Sequence, residues 1–117
     1  MATLLYVEDH PPAQLLMQAI ISTMTPHDLR LASSGAEALD SVRMAPPDLY
    51  ILDLDLPDSD GLSLAAQLSG IHPAPIILIS AYAEAVDPAA LPPLIRFYLA
   101  KPLDPDDVAK TIQRALA

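Results

Sequence analysis

Short runs of consecutive apolar residues alternate along this chain with longer stretches whose apolar positions recur at helical spacing. Leu4-Leu5-Tyr6-Val7 stops at Glu8-Asp9, Leu49-Tyr50-Ile51-Leu52 at Asp53, Ile76-Ile77-Leu78-Ile79 at Ser80, and Phe97-Tyr98-Leu99 near Lys101. Each run is too short for a helix and apolar at every position, as expected of a strand buried on both faces of a parallel sheet. Leu29-Arg30-Leu31-Ala32 is a weaker strand candidate. Between these runs, Pro11-Pro12 opens a helix that reaches about Met24, with Leu16 and Ile20 one turn apart. Ser34-Gly35-Ala36-Glu37 has the spacing of a capping box and opens a second helix, which Pro46-Pro47 closes. Asp60-Gly61 opens a third, ending by Gly70 and Pro73.

The last helix starts at Asp104-Pro105-Asp106-Asp107, a cap, a proline at the first helical position and acids in the first turn. Val108, Ile112 and Leu116 follow at intervals of four, and Lys110 and Arg114 sit where the helix dipole favours cations. A further helix is expected from Asp87, but Pro92-Pro93 hold it to about a turn, so it should be short or irregular. Five strand-then-helix repeats predict an α/β fold: a doubly wound, five-stranded parallel sheet with helices on both faces and right-handed crossovers. Ligands of such folds sit at the carboxyl ends of the strands. Those ends carry Glu8, Asp9, Asp53, Ser80 and Lys101.

Composition narrows the function. At 117 residues and 52% hydrophobic, the sequence is read as one folded domain over 1–117. A net charge of −9 argues against nucleic acid and anionic membrane surfaces as partners. No apolar run is long enough to span a membrane and no basic region precedes the first apolar run, so a cytoplasmic protein is expected. The absence of cysteine removes thiolate chemistry, and glycines at 35, 61 and 70 form neither a dinucleotide fingerprint nor a P-loop.

Six of the fifteen acids (Glu8, Asp9, Asp53, Asp55, Asp58 and Asp60) follow the first and third apolar strands. Two carboxylates about 4 Å apart repel by about 4 kcal/mol at an effective dielectric near 20. Such a cluster raises its own pKa values or collects a cation, and oxygen-only donors without cysteine point to a hard ion, Mg²⁺ before Ca²⁺. Lys101, one of two lysines, follows an apolar strand rather than lying on a solvated helix face. Carboxylates, a hydroxyl and an ammonium around one crevice suit a phosphoryl group, with a carboxylate as nucleophile. Asp53, at the end of the most apolar strand, is the best placed. Taken singly, Glu8-Asp9 also reads as a helix cap, the Asp55 side chain as a turn acid, Ser80 as a strand-end hydroxyl and Tyr98 as a half-buried strand tyrosine.

At these positions the chain closely resembles the receiver domain of two-component response regulators. The resemblance rests on Leu5-Tyr6-Val7-Glu8-Asp9, on Pro47 through Pro57 running on to Asp60-Gly61, on Pro75 through Tyr82, and on Tyr98-Leu99-Ala100-Lys101-Pro102. It implies the flavodoxin-like strand order 2-1-3-4-5. It implies Asp53 as phosphoacceptor, Mg²⁺ held by Glu8, Asp9, Asp53 and the backbone carbonyl of Asp55, Ser80 and Lys101 on the phosphoryl group, and Ser80 with Tyr98 as the switch. The partner would be a sensor histidine kinase or a phosphotransfer protein, and the domain would catalyse only its own phosphorylation and dephosphorylation.

Three features depart from the family pattern. The first acidic pair is Glu-Asp, a common variant of Asp-Asp. Pro92-Pro93-Leu94-Ile95-Arg96 replaces the turn before the fifth strand. Asp55 and Tyr82 occupy positions that tune dephosphorylation in the family. Two other readings stay open. Asp53-Leu54-Asp55 resembles the D-x-D motif of haloacid-dehalogenase-type, Mg²⁺-dependent phosphatases, although that motif belongs after a first strand. A pseudo-receiver, binding partners without phosphorylation, is the other.

Overall fold

The apolar runs form strands and the capped stretches form helices. A computed structural model of the chain describes residues 1–54, 56, 60–80 and 95–117. In chain order these give β1 (Thr3–Val7), α1 (Pro11–Met24), β2 (Asp28–Ala32), α2 (Gly35–Met44), β3 (Leu49–Asp53), α3 (Gly61–Ile71), β4 (Ile76–Ser80), β5 (Ile95–Ala100) and α4 (Pro105–Leu116). The five strands make one parallel sheet in the order β2-β1-β3-β4-β5. The short or irregular helix expected from Asp87, and the prolines at 92 and 93, lie outside the described residues.

Strand alternation divides the core into two layers. Leu4, Tyr6, Leu49, Ile51, Ile77 and Ile79 face α1 and α4, meeting Met17, Ile20, Ile21, Val108 and Ile112. Leu5, Val7, Tyr50, Leu52, Ile76 and Leu78 face α2 and α3, meeting Ala38, Val42, Leu64 and Leu68. The runs read as apolar throughout in β1, β3 and β4 are therefore apolar because both faces are covered. β5 differs. It is an edge strand, with Arg96 exposed and Phe97 and Tyr98 half-buried. Its register with β4 jumps from Ile76↔Ile95 to Ile77↔Phe97, leaving Arg96 as the extra, outward residue.

The helix starts follow the expected chemistry. Ser34 Oγ accepts from Glu37 N–H, Asp60 Oδ1 from Leu62 N–H and Asp104 Oδ1 from Asp106 N–H. Each satisfies one of the orphan donors of a first turn. α3 runs one residue past Gly70. In α1 the buried stripe is Met17, Ile20 and Ile21, whereas Leu16 is 44% exposed.

Candidate functional site

The carboxyl ends of β1, β3, β4 and β5 lie side by side, so the polar residues that stop each strand converge. Register fixes which ones share a face. Val7 pairs with Leu52, and one step further sets Glu8 beside Asp53, the last residue of β3. By alternation both fall on the α1/α4 face. Ser80 pairs with Ala100 and Tyr98 with Leu78, so Ser80 and Tyr98 lie on the α2/α3 face. Tyr98 packs against that layer of the core, and its hydroxyl is buried with no hydrogen-bond partner among the described residues.

Backbone bonds hold these ends in place. Glu8 N–H donates to Ala32 O at 2.9 Å, Leu54 N–H to Ile79 O at 3.0 Å, and Lys101 N–H to Ser80 O at 3.0 Å. The Lys101–Pro102 peptide is cis. Lys101 reaches back across the sheet, where its Nζ donates to Asp53 Oδ2 and lies 3.7 Å from Glu8 Oε1. Asp53 is 1% exposed, Glu8 2% and Ser80 2%. They are the buried polar side chains among the described residues.

Burying two carboxyl groups together costs energy, and Glu8 shows it. Its pKa is pushed up to about 8, first by burial and then by the Asp53 carboxyl group beside it; the Lys101 ammonium offsets only part of this. Glu8 Oε2 is buried with no hydrogen-bond partner among the described residues. A buried, unpartnered carboxylate oxygen beside a second buried carboxyl group fits a small hard cation. Asp9 is exposed, and no three His, Asp or Glu side chains among the described residues stand close enough together to hold a metal. Asp55, expected to add a backbone carbonyl, lies outside the described residues, as does Tyr82. The structure thus gathers Glu8, Asp53 and Lys101 into one contact group, places Ser80 and Tyr98 on the other face of the sheet, and leaves Asp9 exposed.

Two residues support the site in ways the sequence does not signal. Gln14 Nε2 donates to Glu8 O at 2.6 Å and to Ser33 Oγ at 3.2 Å, tying the turn after β1 to the end of β2. Gly61, legible only as a helix opener, lies against the chain just after the β3 end. A Cβ there would stand 2.9 Å from Leu54 Cα and 3.1 Å from Asp53 O.

Known proteins share this fold. The family described as the response regulator receiver domain matches residues 4–113. The transcriptional regulatory protein KdpE of Mycobacterium tuberculosis (strain ATCC 25618 / H37Rv) is 35% identical over 97% of this chain and 51% of its own length. The chain spans from 26% to 51% of the first curated relatives, all transcriptional regulatory proteins. Among solved structures, a CheY-like receiver domain from Methylobacillus flagellatus superposes with a TM-score of 0.87 at 25% identity, covering 98% of each chain. The receiver domain of the sensor histidine kinase PA1611 from Pseudomonas aeruginosa PAO1 does so at 0.84 and 24% identity, covering 98% of this chain and 97% of that one, and has a magnesium ion coordinated in its active-site cleft. A match that runs from β1 into α4 makes this protein a member of the response regulator receiver domain family.

Proposed function

We propose that this receiver domain, spanning residues 1–117 as one unit, is the phosphoacceptor switch of a two-component relay. Asp53 is the nucleophile. Its carboxylate oxygen forms a bond to phosphorus as the P–N bond of a partner's phosphohistidine breaks, and the imidazole leaves with the electron pair and takes up a proton. The observation that carries this reading is the burial of Asp53 at the end of β3 with the Lys101 ammonium bonded to it. That ammonium orients the carboxylate before transfer and is placed to bond a phosphoryl oxygen afterwards. Ser80, buried at the end of β4, supplies a hydroxyl to the same group.

Glu8, Asp53 and Asp9, with the Asp55 carbonyl, would hold Mg²⁺; the magnesium in the Pseudomonas receiver makes it the first metal to test. When bound, the ion neutralises negative charge that builds on the phosphoryl oxygens. The signal passes from Ser80 to Tyr98, which share a face of the sheet. A sensor histidine kinase or phosphotransfer protein supplies the phosphoryl group, and the domain turns over no metabolite. No helix among the described residues is long and apolar enough to cross a membrane, and a cytoplasmic site of action goes with the reading. The position of Asp53 at the end of β3 rather than of β1 weighs against a haloacid-dehalogenase-type phosphatase.

Incubation with acetyl phosphate and Mg²⁺ should add one hydroxylamine-labile phosphoryl group, and Asp53→Asn should abolish it. Full labelling of Asp53→Asn would show that the nucleophile is elsewhere. No labelling of the wild type would favour the phosphorylation-independent pseudo-receiver, and repeated turnover of p-nitrophenyl phosphate would favour the phosphatase.

A further inference from the structure

β1 carries a second buried oxygen that the mechanism above does not use. Tyr6 has no exposed surface, and its hydroxyl has no hydrogen-bond partner among the described residues. Its position in a strand whose other buried residues are leucine and valine gives it no packing advantage that phenylalanine would lack. Tyr50, equally buried, shows the usual solution, donating its hydroxyl to His72 O at 2.7 Å. A buried hydroxyl left without a partner costs stability, so its presence needs a reason.

The register supplies one. Tyr6 pairs with Ile51, two residues before Asp53, and lies two residues before Glu8 on the same strand. All three side chains project from one face of the sheet. The two unpartnered oxygens are complementary, because a phenol donates and a carboxylate only accepts.

We infer that Tyr6 is a positioning residue for the cation site, its hydroxyl serving as hydrogen-bond donor to Glu8 Oε2, directly or through one trapped water, once that carboxylate takes a divalent cation. The inference rests on the reading of Glu8 as a ligand to Mg²⁺. The hydroxyl fixes the carboxylate that ligates the ion and does not touch the ion or the phosphoryl group. In the metal-free protein it contributes little to stability, so its removal should separate metal affinity from fold stability.

The test is Mg²⁺ binding by calorimetry together with the melting temperature in EDTA, for wild type, Tyr6→Phe and Ile51→Val. Ile51 is the register partner of Tyr6 and loses a methyl group without any change in hydrogen bonding. Tyr6→Phe should bind Mg²⁺ about tenfold more weakly, as expected for loss of a hydrogen bond to a charged group. It should melt in EDTA at or above the wild-type temperature. Ile51→Val should melt lower and bind Mg²⁺ as the wild type does. Equal Mg²⁺ affinity in Tyr6→Phe and wild type would overturn the inference. So would similar weakening in both variants, which would assign the effect to packing. Tyr6→Phe melting well below wild type in EDTA would overturn it too, because the hydroxyl would then already be bonded in the metal-free fold. A wild type that binds no Mg²⁺ would overturn the cation-site reading along with it, which separates the two failures.

Discussion

Glu8 shows how burial changes an ordinary carboxyl group. A carboxyl group in solution titrates near 4.5, and in this pocket near 8. The folded, metal-free protein therefore binds more protons than the unfolded chain between those values. The contribution of Glu8 to stability therefore falls as pH rises from about 5 to 8, opposite to the usual effect of a salt-bridged carboxylate. Urea midpoints in EDTA at pH 5, 6, 7 and 8 check this, with Glu8→Gln as the comparison. Its stability should fall less with pH, because the group that charges at a cost is gone. Parallel profiles for the two proteins would mean that Glu8 does not titrate as its surroundings dictate. Lys101 lowers the cost without removing it, since one ammonium faces two buried carboxyl groups.

Elements position these residues, and the chain shows which of their properties can be read in advance. β1, β3 and β4 were legible because a strand covered on both faces must be apolar at every position. Helix starts were legible because Ser34, Asp60 and Asp104 carry the oxygens that orphan N–H groups need. The β5 run reads as doubly buried because edge position belongs to the sheet order, not to the run itself. The face of α1 was ambiguous because Leu15, Leu16, Met17, Ile20, Ile21 and Met24 surround it, and only packing against α4 chooses Met17 over Leu16. Asp53, Ser80 and Lys101 stood out as polar stops to apolar runs. Tyr6 and Gln14 did not, since an apolar run hides a phenol and a helix surface hides an amide. Gly61 has a cause the sequence could not show, the closeness of Leu54 Cα. Gly61→Ala would gain helix propensity but force the chain after Asp53 to shift, and overpacking of this kind costs about 1–3 kcal/mol. The expected outcome is a lower denaturation midpoint with slower acetyl-phosphate labelling. Unchanged stability and labelling would mean that the segment yields freely.

The whole molecule is a sheet whose two faces are filled with apolar side chains while one end collects acid. The apolar layers stabilise the fold whatever occupies that end, so the acidic end can hold charges that repel one another. A net charge of −9 raises the cost further, because every added carboxylate works against an already negative field. On the proposed reading, a cation taken up at Glu8 and Asp53 would relieve local repulsion and part of this general field, and would bind the folded state alone. Mg²⁺ at ten times its Kd should therefore stabilise the protein by about 1.4 kcal/mol through mass action. For a domain of this size that is a rise of about 4–8 °C in Tm. Asp9→Asn should reduce the rise by removing a carboxylate at the rim while leaving Tm in EDTA nearly unchanged, since Asp9 is exposed. Differential scanning calorimetry across a Mg²⁺ series, at fixed ionic strength so that simple screening is held constant, measures both. A Tm indifferent to millimolar Mg²⁺ would show that Lys101 already satisfies the pocket, and the charge of the strand ends would then serve the phosphoryl group without a metal.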